Sequence, residues 1–208
     1  MVEQLVNMSH AQSFPTPLEK VTFRDGRQCM DRLVERGWLL NGRGLCGIRG
    51  ADGRQWFVEP RRSGLSLGAG IYVREERQGG TINVMAPEHM GRIAVMTALW
   101  QHLPHSPKVI VHAYPTMTMK WSQKGQVFVF SHHDYASLLG ASLSTEGIKV
   151  TIVPKDVSSV DLAHQISLWC HPELPVLVHA GGGVFSWASE FDQAIRQIEA
   201  IEYLCQSY

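Results

Sequence analysis

At 208 residues, with 44% apolar and 18% charged side chains, the chain suits one globular domain with a substantial core, not a disordered segment. Its 19 Lys+Arg balance 19 Asp+Glu, which removes any electrostatic argument for a nucleic-acid partner or an anionic membrane surface. No apolar run approaches the ~20 residues that cross a bilayer.

The opening "MVEQLVNMSHAQSF" lacks the basic and long apolar regions of a secretory signal. Cys29, Cys46, Cys170 and Cys205 lie far apart without CxxC spacing, so the spacing suggests neither a zinc knuckle nor a redox dithiol. The expectation is a soluble cytoplasmic protein whose reduced thiols pack as small hydrophobes.

Residues 1–22, which include "SFPTPLEK", have no periodic apolar pattern and are expected to form an N-terminal arm before a domain at 23–208. From Phe23, "FRDGRQCMDRLVERGWLL" places Met30, Leu33, Val34 and Leu39 near helical spacing, and "NGRG" is a plausible stop. "GLCGIRGADGRQWFVEP" predicts two strands joined at "ADG", and "GIYVREERQGGTINVMAP" predicts a second pair. The first half thus reads as antiparallel hairpins.

The second half alternates helices and strands. "PEHMGRIAVMTALWQHL" predicts a helix with Met90, Ile93, Met96, Ala98 and Leu99 toward the core. Strands follow at "KVIVHAYP", "QVFVFS" and "GIKVTIVP", with a short helix expected at "HHDYASLLGASL". "SSVDLAHQISLWC" predicts a helix using Leu162, Ile166 and Leu168. "LPVLVHA" and "GVFSWA" predict strands flanking three consecutive glycines, and "SEFDQAIRQIEAIEYLCQ" a long amphipathic helix capped by Ser189. The pattern predicts a layered α/β domain with a mixed or mostly antiparallel sheet flanked by helices.

This order of motifs resembles the class II aldolase/adducin family, of fuculose-phosphate aldolase type, from about Phe23 to the C-terminus. The resemblance is carried by "CMDRLVERGWLLNGRGLCGIRGADGRQWFVEPRRSGLSL", "MAPEHMGRIAVMTALWQHLP", "KVIVHAYP" and "PVLVHAGGGVFSWASEFDQAIRQIEAIEYLCQ". It implies a homotetramer acting on a phosphorylated sugar. It also implies a divalent metal, usually zinc, held by a His-x-His pair and a third histidine from the closing turn. Such a metal stabilises an enediolate while an acidic residue handles protons.

Matched position by position, the first ligand is His112, the second is Tyr114 and the third falls on Gly182, with His179 three residues earlier. Glu88 matches the acidic residue; Gly44, followed by Leu45, matches the phosphate loop; Arg61 and Arg62 precede the Ser63-Gly64 turn. The sharp reading makes His112 and His179 metal ligands, Glu88 and Tyr114 catalytic, and Gly44, Arg61, Arg62, Ser63 and Gly64 the phosphate-binding set.

The bland reading makes His112 and His179 buried strand-end histidines, Tyr114 a packed aromatic and Glu88 a first-turn acid favoured by the helix dipole. Arg61 and Arg62 are then a solvated turn, and "SHHD" at 131–134 an ordinary helix start. An odd offset within a strand would also point His179 away from the metal position. Coincident loss at Tyr114, Gly182 and Leu45 leads to the expectation of a divergent member with an incomplete metal site and no resident cofactor. The alternative is an active lyase (aldolase, dehydratase or epimerase type) with a rewired centre, using Zn2+ or another divalent metal.

Overall fold

The computed structural model describes residues 17–50, 55–60, 71–77, 80–83, 90–103, 107–124, 127–130, 139, 148–171 and 174–207. In chain order the elements are α1 (Pro17–Glu35), β1 (Leu45–Arg49), β2 (Gln55–Val58), β3 (Ile71–Arg77), β4 (Gly80–Asn83) and α2 (Met90–His102). There follow β5 (Val109–Ala113), α3 (Thr116–Ser122), β6 (Val127–Phe130), β7 (Ile148–Val153), α4 (Ser159–His164) and α5 (Ile166–Trp169). β8 (Val176–His179), β9 (Gly183–Ala188) and α6 (Phe191–Gln206) close the domain.

The nine strands form one sheet in the order β4-β3-β2-β1-β5-β9-β8-β7-β6. Every neighbouring pair is antiparallel except β7 and β8. That parallel pair is the one whose connection carries α4 and α5, because parallel strands need a crossover and antiparallel ones do not.

Helices cover both faces, which explains why β5 and β9 are buried at every position and read as apolar runs without alternation. Val109, Val111 and Ala113 of β5 join Val184 of β9 in a core closed by α1 and α6, including Leu33, Ile198 and Ile201. Ile110 of β5 with Phe185 and Trp187 of β9 face the opposite core, closed by Met96, Leu99 and Trp100 of α2 and Leu162 of α4. Each large apolar side chain buried this fully contributes about 1.5–3 kcal/mol of transfer free energy.

The local expectations differ from the structure in a few places. α1 begins at Pro17, inside the stretch expected as an arm; a proline is compatible with a first helical turn, where its missing N–H has no partner to lose. Its buried stripe is Cys29, Met30 and Leu33, whereas Val34 is exposed and Leu39 lies beyond the helix. In α2, Met90 is exposed. The helix expected in "SSVDLAHQISLWC" starts at Ser159 and is capped by Ser158, whose hydroxyl accepts from Asp161 N at 3.1 Å. It breaks at Gln165, which turns Leu168 outward. The N-cap of α6 is Glu190, and the Ser189 hydroxyl instead meets Gln193 Oε1 at 3.2 Å. The helix expected at "HHDYASLLGASL" and the "ADG" turn lie outside the described residues, apart from Leu139. Among the described residues no helix is long and apolar enough to cross a membrane.

Candidate functional site

His112 sits at the penultimate position of β5 and is wholly buried. Its register partners are Leu45 on β1 and Phe185 on β9, and Phe185 in turn pairs with Leu177 on β8. These four side chains therefore share the sheet face covered by α2. His179, two residues after Leu177, belongs to the same face. His179 lies on this face despite its odd offset from Gly182, because β8 ends there and residues 180–182 form a turn, across which period-two alternation does not carry.

The glycine turn passes between the two imidazoles. Gly182 N donates to His179 O at 2.9 Å, and Gly181, the third residue of that turn, has φ +72°, as a type II turn requires. A Cβ on Gly182 would lie 2.0 Å from His179 Nδ1. A Cβ on Gly183, whose φ is +104°, would lie 2.3 Å from His112 Nε2 and 2.9 Å from Ala113 O. Each glycine thus answers a separate demand: a left-handed turn, room for one ring, and both at once.

His112 Nε2 is 2.8 Å from the Gly182 carbonyl oxygen. A carbonyl only accepts, so Nε2 carries the proton and donates it there. The ring is packed against Phe185 at 4.4 Å and edge-on to Tyr114 at 4.9 Å between centroids. The position that the family resemblance gives to a third ligand is therefore occupied by a backbone carbonyl, which takes up the His112 N–H.

His179 is 5% exposed, and its Nε2 has no hydrogen-bond partner among the described residues. Burial lowers its pKa below 6.5, opposed by the main chain of Val157 and Pro154, so the ring is neutral at pH 7. Tyr114 is buried, and its N–H donates to Trp38 O at 2.8 Å, tying the segment after α1 to the end of β5. Gly44 is buried immediately before β1, beside the His112 main chain: a Cβ there would lie 3.5 Å from His112 O and 2.1 Å from Leu39 Cδ2. Glu88, Arg61, Arg62, Ser63 and Gly64 lie outside the described residues, as does "SHHD". Among the described residues, no three His, Cys, Asp or Glu side chains gather as a metal-binding group.

One supporting carboxylate escaped the sequence reading. Glu202 of α6 is buried and accepts from Met117 N, Thr118 N and the Thr118 hydroxyl at 2.8–2.9 Å. It satisfies the first turn of α3, the helix that follows Tyr114, and its charge suits that end of the helix dipole. The available signal was a charge inside an apolar stripe, since Glu202 falls four residues after Ile198 and three before Cys205. A cleft of about 270 Å³ bounded by Trp121, Phe128, Phe130 and Cys205 lies on the opposite face from the histidines.

Residues 88–208, more than half of the chain, match the family model described as the class II aldolase and adducin N-terminal domain. The methylthioribulose-1-phosphate dehydratase of Pseudomonas paraeruginosa is 22% identical over 188 residues, covering 85% of this chain and 91% of that protein. The fold is similar to L-fuculose-1-phosphate aldolase from Thermus thermophilus, with a TM-score of 0.63, 14% identity and coverage of 89% and 91% of the two chains. YgbL from Klebsiella pneumoniae gives a TM-score of 0.67 at 18% identity, covering 90% of this chain and 88% of its own. With a fold of mixed sheet between two helical layers and a family match running from residue 88 to the last helix, the chain belongs to the class II aldolase and adducin family.

Proposed function

We propose that this chain is a divergent member that keeps the family fold as a binding or assembly module and lacks the usual zinc-dependent aldolase chemistry. The supporting observation is the hydrogen bond from His112 Nε2 to the Gly182 carbonyl. It engages the one histidine retained from the family's ligand set, while Tyr114 and Gly182 stand where the other two would be. These residues do not fit a three-imidazole metal centre. Family resemblance supports a cytoplasmic homotetramer, and light scattering showing only monomer across a wide concentration range would overturn that part.

The test is metal content by plasma mass spectrometry on untagged protein, after incubation with excess zinc and dialysis. The expected result is far less than one ion per chain, unchanged in His112→Ala. Near-stoichiometric metal that disappears in His112→Ala would overturn the reading.

One observation favours a second reading, a lyase acting on a phosphorylated sugar. His179 presents a buried, neutral nitrogen with no partner among the described residues, on the same face as His112. Two relatives named methylthioribulose-1-phosphate dehydratase match 82–91% of their own length. In this reading His112 and His179 polarise the substrate carbonyl, with Glu88 and Tyr114 handling protons. Gly44, Arg61, Arg62, Ser63 and Gly64 receive the phosphate, because Arg offers paired donors to its oxygens. Turnover of methylthioribulose 1-phosphate or another phosphorylated ketose, abolished in His112→Ala with the fold intact, is the result that would establish it.

A further inference from the structure

Two of the four cysteines, separated by 17 positions in sequence, meet in the core. Cys46 Sγ of β1 lies 3.0 Å from Cys29 Sγ of α1 and 3.2 Å from Met30 Sδ. Cys29 is 2% and Cys46 0% exposed, and both thiols are free. A covalent bond of about 2.05 Å is reached from this contact by about 1 Å of movement shared between two side chains.

We propose that Cys29 and Cys46 form a reversible disulfide, an oxidation-dependent staple between α1 and β1. The co-reactant is a low-molecular-weight disulfide. One cysteine thiolate attacks a sulfur of that molecule, forming a mixed disulfide and expelling one small thiolate. The second cysteine then attacks the protein-side sulfur, expelling the other. The two protein protons end on the two released thiols, so the pair loses two electrons and the small disulfide gains them.

The location gives the staple a consequence. It closes the loop from α1 to β1 that contains Gly37, Asn41 and Gly42 in left-handed conformations and ends at Gly44 beside the His112 main chain. Cys46 pairs in register with Val111, one residue before His112. Oxidation therefore fixes the segment that borders the candidate site. Burial, then Cys29 as hydrogen-bond partner and neighbouring charge, raises the Cys46 pKa. The thiolate is therefore scarce, and closure is slow at neutral pH.

The test incubates the full chain with oxidised glutathione, with and without urea below the unfolding midpoint. Remaining thiols are alkylated and the protein is digested without reduction. The expected product is a peptide linking Cys29 to Cys46, lighter by two hydrogens than its parts, with Cys170 and Cys205 alkylated. Closure should accelerate on the order of tenfold per pH unit while the thiols are mostly protonated. The melting temperature should rise by roughly 6–12 °C and return on adding dithiothreitol. Cys29→Ser and Cys46→Ser should each abolish the rise, whereas Cys170→Ser and Cys205→Ser should keep it. Recovery of Cys29 and Cys46 on separate peptides after equilibration, whether alkylated or glutathionylated, would overturn the proposal. So would linkage of either one to Cys170 or Cys205, or a melting-temperature rise that survives in Cys29→Ser.

Discussion

The two faces of the sheet treat buried polar groups differently. On the α6 face the Ser186 hydroxyl meets Gln197 Oε1 at 2.6 Å, Ser122 bonds Met119 O, and Glu202 takes three donors from the start of α3. On the α2 face Thr97 meets Gln55, but His179 Nε2 and Trp169 Nε1 are buried with no partner among the described residues. An orphaned buried group costs about 1–3 kcal/mol. One face therefore satisfies its buried polar groups and holds the domain together, and the other carries a local cost beside the position that the family resemblance implies for chemistry. The difference supports treating His112, His179 and the glycine turn as a site, and Glu202, Ser186 and Gln197 as framework.

The largest expected effect comes from the glycine that separates the two imidazoles. Gly183→Ala meets both a positive φ and overlap with His112 and the Ala113 carbonyl, so a loss of about 3 kcal/mol or more is expected in urea unfolding. An unchanged midpoint would mean that His112 is not locked to the turn and that the α2 face yields to an added methyl group. On the framework face, Glu202→Ala strands two helix-start N–H groups and the Thr118 hydroxyl, for a loss of about 2–3 kcal/mol. A loss below about 0.5 kcal/mol, the range of an ordinary surface substitution, would erase the contrast between the faces.

Gly181→Ala should cost only about 1–2 kcal/mol, because φ is positive there but the nearest atoms are the flexible Lys155 side chain at 3.5 Å. Equal losses at Gly181 and Gly183 would show that conformation alone, not the histidine ring, demands the glycines.

The smallest effect is a slope. His179 has a folded pKa lowered by burial, so the unfolded chain binds its proton first as pH falls through about 6.5. Its contribution is therefore stability that is present at pH 7.5 and lost as the solution is acidified below that value. Wild type should lose more stability than His179→Asn between pH 7.5 and 5. Parallel pH profiles would mean that His179 is solvated or paired, and the comparison would lose its clearest element.

Much of the architecture was legible because each element carries its own period and punctuation. The apolar run "VIVHA", the stripe Phe191, Ala194, Ile195, Ile198 and Ile201, and the glycine turn each report a local preference that the fold leaves in place. Legibility failed where neighbours decide. Met90, Val34 and Leu168 fit an apolar pattern yet face solvent, since pattern alone does not say where a packing layer stops. Nothing local marks Glu202 as buried, because a helix 85 residues distant in sequence supplies its donors.

By itself the sequence determined most of the helices and strands, the largely antiparallel sheet and the family resemblance, and it led to the expectation that His112, Tyr114 and Gly182 fall at family ligand positions. These follow from side-chain chemistry over a few residues and from the order of motifs. Only the tertiary structure decided that His112 and His179 share a face, that the Gly182 carbonyl accepts a hydrogen bond from His112 Nε2–H, and that Cys29 meets Cys46. Each of those is a contact between segments brought together by strand register and helix packing, and nothing within either segment specifies which partner the other will present.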